Sequence, residues 1–158
     1  MADDAGATPP VKPRFLPPVY FVAAVAVMLE LGFYLPVVII LSPPVTYVGA
    51  GLIGAGLAII MIVWRRFERA ETTIKPYESS TALVTDGLFA LSRNPIYTAM
   101  VLALIGVAVL LGTVTPLVVI PIFIYLIQSN FIIAEERMLE EVFGDEYRAY
   151  KSRVRRWL

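Results

Sequence analysis

Two short groups of residues in this sequence have types and spacing suited to chemistry. Arg93-Asn94-Pro95-Ile96-Tyr97 opens one apolar run, and Glu135-Glu136 follows directly on another. An arginine beside a helix start makes a ready anion site. A fixed acid pair is suited to facing a cation. Together they describe a pocket for a cationic or zwitterionic ligand that carries a carboxylate. The same residues also have plain structural readings. Asn94 caps a helix, Pro95 takes its first position and Tyr97 anchors at a membrane interface. The acid pair then balances Arg137 or the basic residues of 65–95.

Other residue types narrow the chemistry. The chain has 158 residues with no cysteine and no histidine. Disulfides, thiolate metal sites and cysteine nucleophiles are thereby excluded. The commonest general base and metal ligand is missing as well, so no metal site is expected.

The elements that must position these groups are apolar. Hydrophobic residues make up 58% of the chain, against about 45–50% in a soluble domain, and mean hydropathy is +0.75. The excess comes in runs of about 20 residues, the length that crosses a bilayer. An all-α membrane protein with four spans is expected, over about 16–41, 46–64, 96–111 and 117–134. Residues 15–158 form one membrane-embedded domain, and 1–14 read as a disordered tail rather than a signal peptide. Pro36 is expected to kink the first span, and Ser42-Pro43-Pro44 to end it. Residues 65–95 carry four acids and five bases, too polar and too long for an idle connection.

Charge sets the expected topology. All thirteen basic residues fall before the first span, between the second and third, or after the fourth. The reversals at 42–45 and 112–116 hold none. Four spans put the basic regions on one face, which the positive-inside rule makes cytoplasmic, both termini included.

Three further features need a reading. Gly49-x-Gly51-x-x-Gly54 has the letters of a dinucleotide fingerprint but lies inside a span, without the strand that motif requires. Small-residue helix packing through Ala50, Gly51, Gly54 and Ala55 is the better reading. Glu30 lies near the middle of the first span. It is either a carboxyl bonded to Tyr34, Gln128, Ser129 or Asn130, or a substrate contact. In 135–156, Leu139, Val142, Phe143, Tyr147, Tyr150, Val154 and Trp157 form one helical stripe, with a possible break at Gly144-Asp145. That stripe suits first an interfacial helix on anionic lipid, and a flap over a cytoplasmic site is compatible with it.

In order, Leu83-Val84-Thr85-Asp86-Gly87-Leu88-Phe89, Arg93-Asn94-Pro95-Ile96-Tyr97, Glu135-Glu136-Arg137-Met138-Leu139 and Phe143-Gly144-Asp145-Glu146-Tyr147-Arg148-Ala149-Tyr150 carry a family resemblance. The chain resembles, over roughly 72–156, the isoprenylcysteine carboxyl methyltransferase and phospholipid methyltransferase superfamily. The resemblance implies an integral membrane methyltransferase that uses S-adenosyl-L-methionine, held on the cytoplasmic side by the C-terminal half. The implied cofactor-binding residues are Leu83, Val84, Phe89, Asn94, Pro95, Tyr97, Glu135 and Glu136. From their own chemistry, Tyr97, Arg93 and Glu136 are the candidate catalytic residues. Asn94 departs from the family, whose eukaryotic members have histidine there. An amide donates and accepts hydrogen bonds but shuttles no proton at neutral pH.

Expected partners are the lipid bilayer and a lipophilic methyl acceptor, and not nucleic acid or metal. The acceptor could be a prenylcysteine carboxylate, a phospholipid amine or a small lipophilic thiol. Two other readings compete. One is a membrane scaffold or accessory protein that keeps the fold without activity. The other is a reductase-like protein, which the short chain and the lack of a nicotinamide motif disfavour.

Overall fold

The computed structural model describes residues 15–69 and 83–158, and these fold as helices with no β-strand among them. The expected tail at 1–14 and the middle of the polar connection, 70–82, lie outside the described residues. The helices are α1 (Pro17–Tyr34), α2 (Val48–Arg69), α3 (Pro95–Leu111), α4 (Val119–Ile127) and α5 (Ile133–Arg153). A π-turn over Gln128–Ile132 joins α4 to α5 without a break.

The stretches Pro17–Tyr34, Val45–Glu68 and Thr115–Arg153 are long and apolar enough to cross a membrane. The α3 helix is apolar and 17 residues long, at the lower end of the range of about 17–25 that spans a bilayer. The fold is thus an all-α, multi-pass arrangement. Among the described residues, only the three longer helices meet the length and composition of a span.

Pro36 does more than kink the first apolar run. The helix stops at Tyr34, and Leu35, directly before the proline, leaves the helical region. A proline at 36 has no N–H to donate and crowds both the residue before it and the carbonyl four residues back. The expected span over 16–41 is therefore a helix to Tyr34 followed by an irregular segment. Glu30, expected at mid-span, consequently sits in the last turns of α1, and it is exposed. Of the partners expected for it, Gln128 accepts from Trp157 and the Ser129 hydroxyl donates to Tyr125 and Leu126 carbonyls.

The chain from 35 to 44 folds back across the end of α3. Ile40 and Leu41 both donate N–H to the Gly112 carbonyl, at 2.8 and 3.1 Å. Ile39 and Thr113 form an isolated bridge. Gly112 ends α3 with φ +68°, and a Cβ there would lie 2.5 Å from the Leu41 carbonyl oxygen. Only glycine satisfies both the dihedral and the space.

The α2 and α3 helices pack along their length through small residues. The seam is not the expected one. A Cβ on Gly51 or Gly54 would meet nothing, whereas one on Gly56 would lie 2.7 Å from the Ala99 carbonyl and one on Gly106 2.7 Å from the Gly49 carbonyl. Gly49 and Gly56 are buried while Ala50, Gly54 and Ala55 are exposed. Small-residue packing is the right principle, but the helix presents the other glycines.

The main core lies between α1, α3, α4 and the π-turn. Met28, Leu104, Ile127, Phe131 and Ile132 are fully buried there. Tyr20 meets Phe131 edge-to-face at 5.4 Å between ring centroids. A second, smaller core gathers Val63, Phe89, Tyr147 and Tyr150. It joins the end of α2 to the α5 arm and to the segment that precedes α3.

Candidate functional site

The α3 helix starts as its sequence predicts, with Asn94 at the cap position and Pro95 first in the helix. The capping itself differs from expectation. The Asn94 side chain makes no cap bond; its Nδ2 donates 3.0 Å to the carbonyl of Arg156, far along the chain. Ser92 takes over locally, its Oγ accepting the Asn94 N–H at 3.1 Å. The Thr98 hydroxyl donates to the Asn94 carbonyl at 3.0 Å.

One turn into α3, Tyr97 is buried and its hydroxyl donates 2.7 Å to Glu135 Oε1. The other Glu135 oxygen has no partner among the described residues. Its neighbour Glu136 is 6% exposed and is engaged on both oxygens. Arg156 grips it as a fork, Nε to Oε1 at 2.9 Å and Nη2 to Oε2 at 2.7 Å. Arg93 Nη1 meets Oε1 at 3.0 Å. The Glu136 hydrogen bonds raise the Arg156 guanidinium above its ordinary value. A buried carboxylate is tolerable only when paired and hydrogen-bonded in this way.

Arg93 completes the cluster. Its Nη1 donates to the Tyr147 hydroxyl at 3.5 Å, and its backbone N–H donates 2.9 Å to the Arg155 carbonyl. Arg93 Nε is buried with no partner among the described residues. An orphaned buried donor is costly, so such an atom marks where a further acceptor would fit.

The remaining selected residues lie against the second core. Leu83 and Val84 pack on the cluster of Val63, Phe89, Tyr147 and Tyr150. The Phe89 ring meets Phe67 edge-to-face at 5.5 Å, and the Tyr150 hydroxyl donates 2.7 Å to the Phe89 carbonyl. Asp86 pairs with Arg66 of α2. Tyr147 belongs to this core and also touches Arg93, which links the apolar patch to the polar cluster.

The α5 arm corrects one sequence expectation. Its stripe does not lie open for lipid. Leu139, Phe143, Tyr147, Tyr150 and Val154 face the protein, Trp157 packs on the main core, and Val142 alone of the stripe is exposed. The break falls at Gly144, with φ +51° and ψ −120°. This kink lets the arm bend back over the start of α3.

Sequence reasoning gathered Arg93, Asn94, Pro95, Tyr97, Glu135 and Glu136, and the fold brings them to one end of the bundle. It passed over Arg156, Ser92, Tyr147 and Tyr150 as site residues. A clue existed for Arg156, because Glu136 follows an apolar run and a buried acid needs a cation.

The fold and site thus define an all-helical, multi-pass membrane protein with a buried ionic cluster where two apolar helices meet a polar arm. The model of the phospholipid methyltransferase family matches residues 45–146, and the chain belongs to that family. It is 33% identical to a protein-S-isoprenylcysteine O-methyltransferase of Schizosaccharomyces pombe over 72 residues, 46% of this chain and 30% of that one. It is 44% identical to an uncharacterized protein of Haemophilus influenzae over 62 residues, 39% of this chain and 98% of that one. No solved structure matches the chain. Family and relative support methyltransferase activity at a membrane, and the chain spans under a third of the yeast enzyme's length.

Proposed function

We propose that the protein transfers a methyl group from S-adenosylmethionine to a lipophilic acceptor, at the membrane face where α3 begins and α5 follows the last apolar turn. The observation that carries this reading is the division of labour in the acid pair. Glu136 is saturated by Arg93 and Arg156, whereas Glu135 has one oxygen fixed by Tyr97 and the other without a partner among the described residues. An oriented carboxylate with an open oxygen suits an ammonium group. The orphaned Arg93 Nε and the start of α3 suit a carboxylate. The two together complement an amino-acid end, so the donor set fits this cofactor.

S-adenosylmethionine, when bound, supplies a methyl group on a cationic sulfur. The chain's part is to bind, align and keep water out. Tyr97 fixes the Glu135 carboxylate, and Leu83, Val84 and Phe89, which pack at the second core, are the residues that the family resemblance assigns to the apolar and aromatic side of the site. The acceptor reaches the site from the bilayer, because the site lies where apolar helices end. A carboxylate or thiolate acceptor is already a nucleophile and needs no base from the protein, which accords with a chain lacking histidine. The positive-inside rule supports a cytoplasmic side for this end.

The test is calorimetric titration of S-adenosylmethionine and S-adenosylhomocysteine into detergent-purified protein. Micromolar binding of both is expected. Glu135→Gln is expected to weaken it about tenfold or more, the worth of a hydrogen bond to a charged group. Absence of binding in detergent and again in lipid nanodiscs would favour a scaffold that keeps the fold without the activity.

A further inference from the structure

Resting on the reading above, we propose that Arg156 is a positioning residue for the cofactor site, acting through Glu136 and Asn94. Two consecutive residues beyond α5 bond to the α3 start, and a third, Trp157, anchors the segment on the main core. The Arg155 carbonyl accepts the Arg93 N–H at 2.9 Å. The Arg156 carbonyl accepts from Asn94 Nδ2 at 3.0 Å and from Ser92 Oγ at 3.3 Å. Trp157 Nε1 donates to Gln128 Oε1 at 3.2 Å, which fixes the segment to the π-turn.

Arg156 is the centre of this strap because its backbone and side chain hold different elements. The carbonyl holds the residues that open α3, and the guanidinium holds Glu136 on the neighbouring helix through both oxygens. One residue therefore sets the distance between the start of α3 and the start of α5. Tyr97, about one turn beyond Asn94, and Glu135, directly before Glu136, meet across the same gap. Loss of the fork leaves Glu136 to Arg93 alone and loosens the spacing on which the open Glu135 oxygen depends. Lysine keeps the charge without the planar fork, so it is only a partial substitute.

The experiment pairs two measurements on the full-length protein in nanodiscs. Hydrogen exchange by mass spectrometry follows the backbone of residues 92–98 without ligand, and calorimetry follows S-adenosylhomocysteine binding well below the unfolding temperature of each variant. Arg156→Ala is expected to speed exchange in 92–98 and to weaken binding about tenfold or more, with Arg156→Lys intermediate in both. Arg153→Ala, an exposed neighbour, serves as the control and keeps wild-type values. Unchanged exchange in Arg156→Ala overturns the proposal. So does faster exchange with unchanged affinity, which makes the strap merely structural. A wild type that binds neither S-adenosylhomocysteine nor S-adenosylmethionine overturns the methyltransferase reading itself and the proposal with it.

Discussion

The α3 helix is tied at both ends to distant parts of the chain, by different chemistry. At its C-terminal end the ties are neutral. Backbone N–H groups of Ile40 and Leu41 bond to the Gly112 carbonyl, Val114 N–H bonds to the Val38 carbonyl, and the Thr115 hydroxyl donates 2.6 Å to the Leu35 carbonyl. At its N-terminal end the ties are ionic, with Arg93, Glu136 and Arg156 in one cluster. Backbone closure depends on shape and is indifferent to what side chains carry. Ionic closure depends on every partner being present, since a buried charge without its counterpart is severely penalised. Of these two ends, the ionic one carries the charged groups that a charged ligand could engage.

The two closures differ in how they break. The largest effect is expected for Glu136→Ala, which leaves Arg93 and the half-buried Arg156 without their shared counter-charge. A loss of about 3–5 kcal/mol is expected by chemical unfolding in detergent micelles, and a loss under about 1 kcal/mol would mean that the cluster is not desolvated. At the neutral end Gly112→Ala forces a side chain into positive φ and against the Leu41 carbonyl. A cost of about 1–3 kcal/mol is expected. S-adenosylhomocysteine affinity should stay at the wild-type value, and a parallel loss of affinity would show that the ends are coupled. The smallest effect is Thr115→Val, which removes one exposed hydroxyl that bonds to Leu35 and Val37. About 1 kcal/mol or less is expected.

The same contrast explains what was legible in the sequence. Local rules worked where the cause is local. Asn94-Pro95 marks the start of α3, Gly144 marks the break in the arm, and apolar runs mark the helices. They failed where the partner is distant. The capping rule assigns the Asn94 amide to its own helix, yet the Arg156 carbonyl lies 62 positions away and takes it. Helical spacing identified a glycine seam in α2 but not its phase, because Gly49 and Gly56 become the contact residues only once α3 lies against them. The stripe on α5 likewise reads as lipid-facing until Val63 and Phe89 are seen to cover it. Pro36 was identified as a break in regularity, and its outcome as a stop rather than a kink depended on the return of 35–44 over Gly112.

The π-turn over Gln128–Ile132 determines which face the two glutamates present. In a plain α-helix each residue advances the face by about 100°, and a π-turn accommodates one residue more than the same rise of α-helix. Everything after it is thus rotated by roughly that angle relative to an uninterrupted helix. A single-codon deletion within 128–132 is expected to restore the ordinary winding and to swing Glu135 and Glu136 together away from Tyr97 and Arg93, while the hydrophobic character of the helix stays intact. In genetic terms, one residue's worth of winding decides which face of this helix carries Glu135 and Glu136.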